Sequence, residues 1–190
     1  MLGEILEFSK LIGKLKKIER TGWVTWGNVE NPESVAEHIF RTAVLGLIIS
    51  DMKKLDTEKV VRMCLLHDLP EALIGDWDPK AKKKLGMDKW KSKEKEALKK
   101  ILSMLPETIR GKYFKAWEEF EEMKTKEAKI VKQLDRLEMI IQALEYLEDG
   151  YKEEDLKEFF DWQADEFKDD DLKEIFNLSN KERLKYKIQK

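Results

Sequence analysis

Apolar residues in this chain recur at intervals of three and four, and the residues that punctuate other folds are scarce: four prolines and nine glycines in 190 residues. That spacing places side chains on one stripe of an α-helix, whereas a half-buried strand needs strict alternation, and no alternating run of useful length occurs. The chain therefore reads as all-α, a helical bundle with additional C-terminal helices. A first helix is predicted over about Leu2 to Ile18, with Ile5, Phe8, Leu11, Ile12 and Leu15 on one face. A loop from Arg20 follows, containing Trp23 and Trp26.

The second helix is predicted to start near Asn31–Ser34, where Pro32 suits a first turn and Ser34 with Glu37 forms a capping box, and to run to about Lys53. The third starts at Asp56 or Thr57 and reaches about Ile74, with Pro70 removing one N–H from its ladder and Gly75 ending it. Residues 76–92 are the least periodic stretch and form a candidate mobile connection or lid. Helices follow over about Lys93–Met104 and Glu107–Glu122. The strongest is Lys126–Asp149, whose Ile130, Leu134, Leu137, Ile141, Leu144 and Leu147 make a sustained stripe, with Gly150 where a C-cap belongs. Two more, about 153–167 and 169–176, precede a charged end expected to fray. No repeat or linker divides the chain, so it reads as one domain over 1–190, with a core at about 10–150 and a helical extension at about 151–190.

Composition narrows the partners. Thirty-seven bases against 39 acids leave a charge of −2, which gives no electrostatic reason to expect a nucleic-acid polymer or a membrane surface. Cys64 is the single cysteine, so there is no internal disulfide framework and no cysteine-rich zinc site. No run approaches the roughly 18 apolar residues of a membrane span. The stretch Met1–Glu7 carries acids where a signal peptide carries bases. The expectation is a soluble, unprocessed cytoplasmic protein. Of the bases, 31 are lysine, and asparagine and glutamine together number eight, a pattern associated with growth at high temperature. The long stripe of the Lys126–Asp149 helix exceeds what one bundle seam uses, which predicts association, with a homodimer favoured.

Both histidines fall on predicted helices with apolar surroundings, His38 in Val35-Ala-Glu-His-Ile-Phe and His67 in Cys64-Leu-Leu-His-Asp-Leu-Pro-Glu. A buried imidazole is either a core group satisfied by hydrogen bonds or a ligand. Asp68 follows His67 directly and Glu71 lies four residues on, where it would share a helix face with His67. Imidazole nitrogens with carboxylate oxygens suit a borderline-to-hard divalent ion. Asp135 interrupts the strongest stripe, and alone it reads equally as a flank charge paired with Lys132 or Arg136.

The order His38, then His67-Asp68, then Asp135 resembles the HD-domain metal-dependent phosphohydrolases. Four blocks, Arg20-Thr-Gly-Trp23, Pro32 to His38, His67 to Asp76, and Lys129 to Met139, are similar to the 5'-deoxynucleotidase branch over about residues 10–150. The resemblance implies one divalent transition metal ion (Co, Mn, Ni, Fe or Zn) held by His38, His67, Asp68 and Asp135. It implies removal of the 5'-phosphate from deoxyribonucleoside 5'-monophosphates, and a dimer. It places Arg20 on the substrate phosphate, a task its guanidinium fork suits better than lysine does. Glu71 and Asp76 would activate the water or protonate the departing 5'-oxygen, with either assignment open. In bacterial members a tryptophan directly follows the arginine and selects deoxyribose; here Thr21 and Gly22 intervene, leaving Trp23 or Trp26 for the sugar, or neither. No histidine remains for a second ion. A nucleoside triphosphohydrolase is the nearest alternative, with Lys80, Lys82, Lys83 and Lys84 as its candidate phosphate contacts. A non-catalytic, metal-containing nucleotide-binding module is another, but it would not require Glu71 and Asp76.

Overall fold

Ser34 stops the chain in an extended conformation, accepts the Glu37 backbone N–H on its side chain, and receives the Glu37 carboxylate on its own backbone N–H in return. This reciprocal cap starts a 19-residue helix at the predicted position. The computed structural model describes residues 2–161 and 166–187. Its helices are α1 (Leu2–Ile12), α2 (Thr21–Thr25), α3 (Val35–Lys53), α4 (Thr57–Leu66), α5 (Glu71–Ile74), α6 (Pro79–Leu85), α7 (Met87–Leu102), α8 (Glu107–Glu122), α9 (Lys126–Glu148), α10 (Glu153–Asp161) and α11 (Asp170–Lys187). A 3₁₀ segment, Gly13–Lys17, continues α1, and among the described residues there is no sheet beyond one isolated bridge between Glu19 and Ser34.

α9 lies between two apolar clusters. Ala128 and Val131 join the cluster of α3, α4, α7 and α8, while Leu134, Leu137, Ile140 and Leu147 join Trp23, Phe160 of α10 and Leu172 of α11. The stripe expected to drive association is thus consumed inside the chain. The helix that does present apolar residues outward is α3, where Phe40, Val44, Leu47, Ile48 and Met52 are exposed at helical spacing. Its other side packs closely on α4, and Gly46 permits this: a Cβ there would stand 2.8 Å from Cys64 Sγ.

The chain departs from the expected pattern in other places as well. The helix expected to continue from Thr57 to Ile74 ends at Leu66, and residues 67–70 form tighter turns, with Leu69 N–H donating to Leu66 O and Glu71 N–H to Asp68 O, before α5 begins. Pro70, which has no N–H to give, is the last residue before α5. The stretch 76–92 is helical over most of its length, because Asp78 caps the Lys80 and Ala81 N–H groups and Pro79 fills the first turn of α6. The charged end remains helical to Lys187. The predicted helix over 153–167 reaches Asp161, and its continuation partly falls outside the described residues.

Candidate metal centre

Three pieces of chain deliver the two histidines and two aspartates to one point. His38 sits one turn inside α3 with no exposure, placed by the Ser34 cap. His67 and Asp68 occupy the break after α4, and Asp135 comes from the middle of α9. The Nε2 atoms of His38 and His67 face each other at 3.3 Å. Asp135 Oδ1 lies 3.2 Å from His38 Nε2 and 3.9 Å from His67 Nε2, and Asp68 Oδ2 lies 3.3 Å from His67 Nε2 and 3.7 Å from that of His38.

Hydrogen bonds on the far side of each ring fix which nitrogen is offered. His67 Nδ1–H donates to the Cys64 carbonyl at 2.7 Å, and His38 Nδ1–H donates to the buried carboxylate of Glu138. With the outer nitrogens so engaged, the inner ones are left to hold either a proton or a metal ion, turned toward two carboxylate oxygens. Neighbouring donors about 2.1 Å from one ion would stand about 3 Å apart, and the two histidine nitrogens lie 3.2–3.9 Å from each other and from the two aspartate oxygens. The donor set fits a divalent metal.

The electrostatics agree. Burial and Arg20 act to lower the His38 pKa, but Glu138 and Asp135 outweigh them and push it up to about 10. Burial acts to raise Asp135, yet Lys132 and the two histidines hold it well below the usual carboxylate range. Asp68 is held low in the same way, against burial, by His67, Arg20 and His38. The surroundings favour a cation among ionised carboxylates. Cys64 is no competitor, since burial first and Asp135 second push its thiol up to about 12.

A cleft of about 280 Å3 opens onto this point, lined in part by Arg20, Trp23, Glu71, Asp76 and Lys82. Arg20 Nη1 donates to Asp68 Oδ2 at 3.1 Å and stands 4.0 Å from Asp76 Oδ1. Asp76 Oδ2 accepts the Thr21 backbone N–H at 2.7 Å, and the Asp76 carbonyl accepts the Thr21 hydroxyl at 2.8 Å. These bonds pin the start of α2 to the turn after Gly75, whose φ of +74° is a conformation that glycine adopts without strain. Glu71 is 2% exposed and its Oε2 has no hydrogen-bond partner. Burial, then Asp68 and Asp76, raise its pKa well above the usual carboxylate value, which favours its acid form. Trp23 is packed as a wall, stacked on Phe159 at 4.0 Å with its Nε1–H donating to Glu33. Of the four lysines on or beside α6, Lys82 alone lines the cleft.

The family model for the HD domain matches residues 12–176. The chain belongs to the HD domain family. Human 5'-deoxynucleotidase HDDC2 is 41% identical over 160 residues, covering 84% of this chain and 76% of that protein, and the protein of the same name from Dictyostelium discoideum is 41% identical over 170 residues, covering 84% and 88%. Among solved structures, a conserved hypothetical protein from Pyrococcus furiosus is similar with a TM-score of 0.76 and 36% identity, covering 93% of this chain and 99% of its own. HD domains are metal-dependent, and this member carries the matching cluster of buried histidine and acidic side chains.

Behind the cluster lies a group to which the family-like blocks assign no role. Glu138 is wholly buried, and its second oxygen accepts Arg41 Nε–H at 2.9 Å; Arg41 also reaches Gln142 and Glu145. The signal is present as a polar spacing of three, four and three, namely Asp135, Glu138, Gln142 and Glu145, inside the helix with the longest apolar stripe, facing an arginine one turn after His38.

Proposed function

We propose that this chain is a metal-dependent 5'-deoxynucleotidase that converts a deoxyribonucleoside 5'-monophosphate and water to the nucleoside and inorganic phosphate. The observation that carries the reading is the convergence of His38, His67, Asp68 and Asp135 beside Arg20, with the buried Glu71 lining the same cleft and its Oε2 unpartnered. His38, His67, Asp68 and Asp135 would hold one divalent ion, of which Co, Mn, Ni, Fe and Zn suit two imidazoles and two carboxylates. When bound, it supplies Lewis-acid polarisation of the phosphoryl group and acidifies a water at neutral pH.

The chain's own groups supply the rest. Arg20 binds the phosphate through its fork, steadied by Asp76. Asp76 takes the proton of the attacking water as its oxygen bonds to phosphorus. Glu71 gives its proton to the 5'-oxygen as the P–O bond breaks. Trp23, with its N–H spent on Glu33, is an apolar wall that has no hydrogen bond to offer a 2'-hydroxyl, which favours deoxyribose. That Lys82 is the one α6 lysine in the cleft favours a monophosphate over a triphosphate.

The reading extends to the whole protein. We take residues 1–190 as one domain, because α9 is core to both apolar clusters. A second copy covers the exposed stripe of α3, giving a homodimer. The lysine- and glutamate-rich coat and the single buried thiol suit a heat-stable protein of a reducing cytoplasm. Phosphate release from mono-, di- and triphosphates of nucleosides and deoxynucleosides, with each metal restored after chelation, tests the activity. Release from deoxynucleoside monophosphates is the expected result, and no turnover of any monophosphate with any metal overturns it.

A further inference from the structure

The catalytic cleft does not end at Trp23. Beside it lies a second recess of about 500 Å3, and Trp26, Pro79 and Phe159 line both. The rings of Trp26 and Phe159 stand 6.3 Å apart at 43°, and Lys80 Nζ lies 4.8 Å from the Trp26 ring centre. The cleft also touches a third recess, through Lys132, Arg136 and Glu166, but that end is charged and is spanned by the Arg136–Glu166 ion pair.

We infer that the Trp26–Phe159 recess receives the nucleobase, so that the two rings set the preference for a nucleotide over a bare sugar phosphate. The inference rests on the phosphomonoesterase reading above, which fixes the phosphate end at Arg20. From there a nucleotide presents a sugar and then a flat aromatic base. The cleft offers the same sequence of surfaces: Arg20 and Asp68, then the Trp23 wall, then Phe159, on which Trp23 itself is stacked, with Trp26 beyond. Placing the base at the opposite end would desolvate an ion pair with no aromatic surface in return. The recess is half built by α10, which gives the C-terminal extension a role in recognition.

The test compares deoxyadenosine 5'-monophosphate with 2-deoxyribose 5-phosphate on the metal-loaded protein. The base should lower KM by about ten-fold or more, the size of one base–aromatic stack. Trp26→Ala should close that gap by raising KM for the nucleotide, and Trp26→Phe should restore most of it. Calorimetry with deoxyadenosine against 2-deoxyribose, neither of which has a phosphate to release, decides the base contact separately from turnover. Equal KM values for the two phosphates, or a Trp26→Ala variant that weakens both in the same proportion, overturns the base site and leaves the phosphatase reading standing. Failure to hydrolyse either compound overturns the phosphatase reading, and the calorimetric pair then decides the recess alone: tighter binding of deoxyadenosine supports it, and equal binding overturns it.

Discussion

Glu138 and His38 meet across 100 residues of sequence, the fully buried carboxylate accepting the outer N–H of the ring whose inner nitrogen faces Asp135. This bond fixes the aim of one proposed ligand, and Arg41 fixes Glu138 in turn. Outer partners of this kind are worth roughly 10–100-fold in metal affinity or activity. Glu138→Gln should therefore weaken metal binding by about that factor while the four ligands remain in place. Competition titration against a chelator measures it, and an unchanged dissociation constant would contradict the role given to Glu138.

Arg20 and Glu71 should fail in different ways. Arg20→Lys keeps a charge but loses the fork, so KM should rise about ten-fold or more with a smaller change in kcat. Glu71→Gln keeps the shape but has no proton to give, so kcat should fall by about 10²–10⁴-fold with metal content intact. In the unaltered protein kcat should decline as pH rises through the raised Glu71 pKa, because the acid form is then lost. Steady-state kinetics across pH separates these outcomes. A Glu71→Gln variant with normal kcat would remove Glu71 from the chemistry.

Glu33 makes a pH-dependent contribution to stability. Burial first, and Glu138 second, raise its pKa from 4.5 to about 7 while it accepts the Trp23 indole N–H. A carboxyl with a raised folded-state pKa contributes stability that is complete below its unfolded value and is lost as pH climbs through the folded one. Glu33→Gln retains an acceptor for Trp23 and cannot ionise. Its advantage over the unaltered protein should be near zero at pH 4.5, grow between there and about pH 7, and level off at about 3 kcal/mol. Thermal melts of the metal-loaded proteins across this range give the difference curve, and a flat curve would refute the assignment.

The sequence shows the positions of the candidate ligands more clearly than their setting. His38, His67, Asp68 and Asp135 were legible because each stood in a recognisable block, and α3, α8 and α9 began where Ser34, Glu107 and Thr125 allowed. The break at His67 was marked by Pro70, but its position three residues earlier depends on tertiary anchors such as the Trp117 Nε1–H bond to the His67 carbonyl. α9 was read as having one apolar face, whereas it is buried on both sides and carries a polar stripe toward Arg41, a distinction that periodicity alone blurs. The exposed face of α3 was hidden because its apolar residues occur all round the helix.

That face supplies a prediction about assembly. Phe40 is 70% exposed and Met52 66%, with Leu47 and Ile48 between them. The unaltered protein should sediment as a dimer at micromolar concentration, and Phe40→Glu together with Leu47→Glu as a monomer with the same helix content. Sedimentation velocity reads the mass directly, and an unaltered dimer would move the interface elsewhere.

One ion held by His38, His67, Asp68 and Asp135 should be enough to sustain deoxynucleotide dephosphorylation. The most direct measurement titrates a single transition metal into chelated protein and follows, on the same sample, bound metal and phosphate released from deoxyadenosine 5'-monophosphate. The rate should rise in proportion to bound metal and stop rising at one ion per chain, with His67→Ala and Asp135→Ala failing in both. Full activity in the chelated protein, or full loading without phosphate release, would contradict it.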